Sequence, residues 1–344
     1  MKKNAGIVCA ALAAVIWVSS AHAAVKLDAE GSIYHSAHPD FGILDDLVSV
    51  QNVIDFERMS GKKIVWAYLS WNWGARPAFP SEACRALRGA EVIPLVGMMP
   101  WSSSRQGAPE PLYTLEAILE GRFDDLISCA ADEARALGFP VMIEFGPEAN
   151  GSWFPWSGAW NGRDSDEYGE RDIPDGPERF RDAYRRIIGI FRERGADDVT
   201  WVFHIAQRGA PQEAWNSASY YYPGDEWIDW IGASVYAGTA ASVESFDEIM
   251  KRIYPGLCAL SPSKPIALLE IGASGPGKAE WMRETFAAIN SGRYPRLKAV
   301  SWWNKLLKSD GSPSDLEIDS TPESLSAYRD GVRDFAGKPV WRGL

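Results

Sequence analysis

The sequence predicts an α/β protein folded as a single closed (β/α)8 barrel. Eight short apolar runs alternate with longer stretches of helical period, the pattern of parallel strands joined by crossover helices. No change of composition, linker or low-complexity segment divides the chain, so residues 24–344 read as one domain, a size usual for such a barrel. No glycine-rich phosphate loop follows any strand, which removes the best support for the alternative, an open doubly wound sheet.

Taken in order, the first strand is expected near Ser32–His35, followed by a helix from about Leu44 to Met59 that stops at Ser60-Gly61. Ile64–Trp71 is the second strand, and Ser81–Leu87 a short helix with Ser81 as its N-cap after Pro80. Glu91–Met98 is the third strand. A long helix from Phe123 to Leu137 ends at Gly138 and leads into the fourth, Val141–Gly146. Between Pro177 and Arg194 the apolar residues Phe180, Tyr184, Ile187, Ile188 and Phe191 recur at steps of three and four, which marks one helix face. Val199–Ile205 and Ile228–Val235 are the fifth and sixth strands, then a helix spans Phe246–Leu260. Ile266–Ile271 is the seventh strand, Ala279–Ile289 a helix, Leu297–Trp303 the eighth strand and Pro322–Phe335 the closing helix.

The first 23 residues form a separate object. Lys2 and Lys3 precede an apolar run from Ala5 to Val18, and Ala21-His22-Ala23 is a cleavage pattern, so residues 1–23 are expected to be an export signal. That run is too short to span a bilayer comfortably, and no later segment is long and apolar enough. The protein is therefore expected in the periplasm or outside the cell. A net charge of −11 argues against nucleic acid or an anionic membrane as partner and suits a neutral ligand. Cys84, Cys129 and Cys258 form no C-x-x-C pair and indicate neither a zinc site nor a disulfide framework; a Cys84–Cys129 bridge ranks below two unpaired thiols.

Sixteen tryptophans are several-fold more than usual for this length, and Trp71, Trp73, Trp101, Trp153, Trp156, Trp302 and Trp303 lie near expected strand ends. Flat rings beside loops offer large contact faces at little entropic cost. In a barrel the chemistry sits at the C-terminal ends of the strands. Glu148, after the fourth, and Glu270, at the end of the seventh, both occupy that position, and closure would bring them to one rim. A pair of carboxyls flanked by aromatic rings is what glycoside hydrolysis needs: one moves the proton, the other attacks the anomeric carbon or activates water. Each could instead be an ordinary loop or buried carboxylate. Glu144 shares a face with Glu148 by two-residue alternation and is expected deeper, as a supporting acid.

The segment from Leu115 to Trp156 resembles glycoside hydrolase family 26, whose E-x-N-G-x-W motif reads here Glu148-Ala149-Asn150-Gly151-Ser152-Trp153. The likeness continues through Arg194-Gly195-Ala196, YYPGDEWIDWIGASVY and KPIALLEIG, and covers most of the chain. It implies a retaining endo-β-glycosidase without metal or other cofactor, with Glu148 as acid/base and Glu270 as nucleophile. It also implies that Tyr236 contacts the nucleophile, that Trp302 or Trp303 floors the sugar being cleaved, and that Trp153 and Trp156 wall neighbouring subsites. Trp71, Trp101, Asn150 and His204 are further substrate-binding candidates, and a monomer acting on a β-linked polysaccharide is expected.

β-1,4-Mannan is the first substrate the resemblance implies, but two departures bear on it. Pro147 stands where the family usually has histidine, and Glu144 where it commonly has arginine. β-Glucan, β-xylan and bacterial exopolysaccharide therefore stay open. So does a catalytically silent polysaccharide-binding barrel, since a fold does not guarantee chemistry. His35 and His38, near the first strand, have no acidic or cysteine partners at metal-ligand spacing, and no nucleophile elbow supports an esterase.

Overall fold

A computed structural model describes residues 32–239, 242–308 and 311–338. The expected export signal, residues 1–23, lies outside the described residues. Eight parallel strands close into a barrel: β1 Tyr34–His38, β2 Trp66–Asn72, β3 Ile93–Met99, β4 Val141–Phe145, β5 Val199–Ala206, β6 Trp230–Tyr236, β7 Ile266–Gly272 and β8 Leu297–Trp303. Each strand pairs with its neighbours in sequence, and β1 pairs with β8 to close the ring. The connecting helices are α1 Val50–Ser60, α2 Ser81–Gly89, α3 Leu115–Leu119, α4 Asp124–Arg135, α5 Asp175–Glu193, α6 Ala218–Tyr221, α7 Phe246–Leu260, α8 Lys278–Asn290 and α9 Pro322–Gly331.

Local chemistry explains where most elements start and stop. Ser49 caps α1 by accepting from the Asn52 amide, and Gly61 ends it in the left-handed region, at φ 71°. Residues 44–49, expected as the first turns of that helix, are instead a loop ending in this cap. Pro80, not Ser81, occupies the N-cap of α2, and the Ser81 hydroxyl donates to Glu133. Ser245 and Glu248 form a reciprocal capping box at the start of α7. The first strand lies two to three residues later than expected, and the closing helix stops at Gly331 rather than Phe335. Two short helices, α3 and α6, and a hairpin pairing Gly238–Thr239 with Ser242–Val243 were not expected; such short elements leave no readable period.

The core has two layers. A large outer cluster packs the helices against the barrel and includes Phe56, Phe145, Phe180, Tyr184, Trp281 and Trp302. A smaller cluster fills the lower barrel with Tyr34, Trp66, Tyr68, Met142, Val202, Trp230 and Leu269; Trp66 and Trp230 meet edge to face, centroids 6.0 Å apart. Gly97 leaves the room that Tyr68 needs, since a Cβ there would meet the phenol oxygen at 2.1 Å. Above this apolar plug the inward positions turn polar: Glu144, His204 and Ser234 are all buried. Cys84, Cys129 and Cys258 are all free; Cys84 is buried, which pushes its thiol up to about 12, and Cys129 is exposed.

Candidate active site

Glu148 follows β4 in the turn Gly146-Pro147-Glu148, with φ of 52°, a backbone conformation that a non-glycine residue holds only under local constraint. Three contacts supply that constraint. The Glu148 carbonyl accepts from the Gly151 amide at 2.7 Å, the Trp153 indole N–H donates to Glu148 Oε2 at 2.7 Å, and the Trp156 indole N–H donates to the Pro147 carbonyl at 2.8 Å. Gly151 is required because a Cβ there would stand 2.2 Å from the Trp153 ring. Asn150 locks the same loop onto β5: its side chain donates to the Ala206 carbonyl at 3.2 Å and accepts from the Ala206 amide at 2.8 Å.

Glu270 reaches the barrel mouth through a register shift. Along β7, Ala267 and Leu269 belong to the barrel interior, so strict alternation would send Glu270 outward to the helices. Opposite β6 the pairing runs from Ala233–Leu268 to Ser234–Glu270, and opposite β8 from Val300–Leu268 to Trp302–Ile271, so one extra residue sits in β7. Such a bulge re-aims a side chain beside a site. The Tyr236 hydroxyl donates to Glu270 Oε2 at 2.7 Å, and Gln207 fixes the Tyr236 backbone by bonding both its amide and its carbonyl.

Both carboxyls line one cavity of about 250 Å³ at the C-terminal end of the barrel, with Trp101, Trp153, Phe154 and Trp303 on its walls. Asp45, Tyr68, Ser70 and Lys305 add polar groups. Burial and the facing Glu148 push the Glu270 carboxyl up to about 8, against His204 and the Tyr236 hydroxyl, which pull it down. Burial would raise Asp45 too, but His38 and Lys305 hold it below the usual carboxylate range.

The candidates divide by strand alternation. Trp303 faces the cavity, stacked on His38 at 4.2 Å, whereas Trp302 points outward against Phe286 and Tyr328 and donates to the Leu316 carbonyl. Trp71 likewise points away, against Phe79 and Trp73, while its neighbour Ser70 lines the cavity. Trp156 is buried behind the wall, stacked on Phe154 at 4.5 Å. His204 lies below the cavity on Glu144 and Ser234. His35 belongs to the lower barrel edge, bound to the Lys63 carbonyl and Tyr328. Sequence reasoning missed Phe154, Tyr68, Asp45 and Lys305. Phe154 stands inside the motif segment and could have been found there, but Asp45 was placed in a helix and Lys305 carried no signal. Among the described residues no group of three or more His, Cys, Asp or Glu side chains is arranged to hold a metal ion.

A closed (β/α)8 barrel with two acidic side chains over an aromatic cavity is an arrangement that glycoside hydrolysis can use. Residues 115–266 match the model of glycosyl hydrolase family 26. The chain is 27% identical over 294 residues to Endoglucanase H of Acetivibrio thermocellus, covering 83% of this chain and 29% of that protein. It is 26% identical over 190 residues to a mannan endo-1,4-beta-mannosidase of Bacillus subtilis, covering 53% of this chain and 45% of that one. The chain thus spans less than half the length of these curated relatives. A solved Bacillus subtilis mannanase superposes with a TM-score of 0.61 at 18% identity, over 91% of this chain and 89% of that one. A Bacteroides ovatus β-mannanase superposes with a TM-score of 0.59 at 16% identity, over 92% of each chain. At these identities the structural likeness establishes the fold.

Proposed function

We propose that the protein is an exported, retaining endo-β-glycosidase that cleaves a β-1,4-linked hexose polymer. The observation that carries this reading is the convergence of Glu148 and Glu270 on one aromatic cavity, with the Tyr236 hydroxyl bound to Glu270. The reaction needs a protonated Glu148 and an ionised Glu270. Glu148 protonates the glycosidic oxygen as the Glu270 carboxylate attacks the anomeric carbon, forming a covalent glycosyl-enzyme and releasing the leaving sugar. Glu148, now ionised, takes a proton from the water that attacks the same carbon, and Glu270 leaves as carboxylate. Trp303 stacks the sugar being cleaved, and Trp101 and Phe154 supply apolar contact for its neighbours.

Between backbones, one relative is named an endoglucanase and another a mannan endo-1,4-beta-mannosidase, at 27% and 26% identity, so β-glucan and β-mannan are the first two polymers to test. Release of reducing ends from β-glucan, β-mannan, β-xylan and bacterial exopolysaccharides, with Glu148→Gln and Glu270→Ala run beside wild type, tests the reading. Release from one polymer that falls on the order of a thousandfold in both variants supports it. Full activity in Glu270→Ala overturns the assignment, and oligosaccharide binding with no product on any polymer favours the silent binding barrel. Export predicts that the secreted protein begins at Ala24, which N-terminal sequencing checks.

A further inference from the structure

Below the cavity, three consecutive strands each turn one polar side chain into the barrel: Glu144 from β4, His204 from β5 and Ser234 from β6. His204 Nδ1 lies 3.0 Å from Glu144 Oε2, and Nε2 lies 2.8 Å from Ser234 Oγ. Ser234 stands opposite Glu270 in the β6–β7 pairing, so this row ends against the strand position that carries the Glu270 carboxyl. Both ring nitrogens face oxygen, and Glu144 is fully buried, with its other carboxyl oxygen lacking a protein partner. A buried carboxylate needs a neighbouring positive charge to offset its lost hydration. An imidazolium meets that need and donates in both directions.

We propose that His204 is a positioning residue, held as an imidazolium by Glu144, whose charge favours the ionised form of the Glu270 carboxyl against the burial that opposes it. The inference rests on the reading of Glu270 as the nucleophile. Burial alone would lower the His204 value, but Glu144 more than reverses this and pushes it up to about 9. The groups around Glu270 are Glu148, Glu144, Tyr236 and Tyr68, with Asp45 and Lys305 on the rim. None of the first four is a cation, and Lys305 is already bound to Asp45 and to the carbonyls of Gly42 and Ile43. Lys308 lies farther out, among the exposed residues of the cavity mouth. His204 is therefore the cation placed to act on Glu270 from below.

The test is a 13C NMR titration of the Glu270 carboxyl, assigned with Glu270→Gln, in wild type, His204→Gln and the double variant Glu144→Gln/His204→Gln. No substrate is needed. In His204→Gln the Glu270 titration moves to higher pH by roughly one unit or more, and the acid limb of kcat/KM moves with it. The double variant keeps side-chain hydrogen bonding without either charge and secures the test if the single variant does not fold. There the shift is smaller but still upward, because His204 outweighs Glu144 at Glu270. An unshifted Glu270 in a folded variant, or a neutral wild-type imidazole at pH 7 by 15N NMR, overturns the proposal. A shifted Glu270 in a protein that hydrolyses no polymer would leave the charge pairing standing and remove the glycosidase reading.

Discussion

At the scale of single residues, the site depends on which hydrogen bonds favour charge and where. The Tyr236 hydroxyl donates to Glu270, and a donor to the charged form lowers a carboxyl's pKa. In Tyr236→Phe that donor is lost and Glu270 rises further. The acid limb of kcat/KM should then move to higher pH while kcat falls by about one hundredfold, as when a preorganised donor is removed from a reacting group. Steady-state rates between pH 4 and 9 measure both; an unmoved acid limb would show that Tyr236 does not tune the nucleophile. In wild type Glu270 must be ionised to attack, so the acid limb of kcat/KM should lie near 8, where burial and Glu148 place the Glu270 titration. The placement of Glu148 and Glu270 at one rim was legible because the motif residues stand at strand ends. The partners of Glu148 were not, since nothing in a sequence shows an indole nitrogen turned onto a carboxylate.

At the scale of elements, the β4 loop and the β7 bulge do the positioning. Asn150 was read from the motif as a substrate-binding candidate, and the structure places its side chain on the backbone of Ala206 instead. Asn150→Ala should leave the Ala206 amide and carbonyl without those partners, at a cost of about 1–3 kcal/mol. It should also lower kcat by freeing the turn that holds Glu148. Urea denaturation and single-polymer rates test both effects, and a loss of substrate affinity at unchanged stability would instead return Asn150 to the sugar. Strand identity was readable because buried parallel strands are continuous apolar runs. The bulge was not. A one-residue register shift leaves no mark on composition, yet it decides whether Glu270 faces the cavity or the helices.

At the scale of the whole molecule, two buried histidines make stability depend on pH in opposite senses. Burial lowers His35 to about 4, so as pH falls from about 6.5 the unfolded chain takes up a proton that the fold refuses, and stability is lost. His204 is raised to about 9 by Glu144; its contribution is complete below about 6.5 and is lost as pH rises through 9. Each shift corresponds to about 3 kcal/mol at most. Thermal unfolding against pH should therefore flatten on the acid side in His35→Gln and on the alkaline side in His204→Gln; parallel curves for wild type and both variants would count against this account. The sequence by itself determined the barrel, the order of its strands, the two strand-end glutamates and the likeness to a family motif, because these rest on periodicity and on residues close together in the chain. Only the tertiary structure decided that Trp303 rather than Trp302 meets the cavity, that Asp45 and Lys305 join its wall, and that His204 rests on Glu144. Those outcomes depend on pleat, register and loop path, which bring distant residues within 3 Å without any local pattern to announce it.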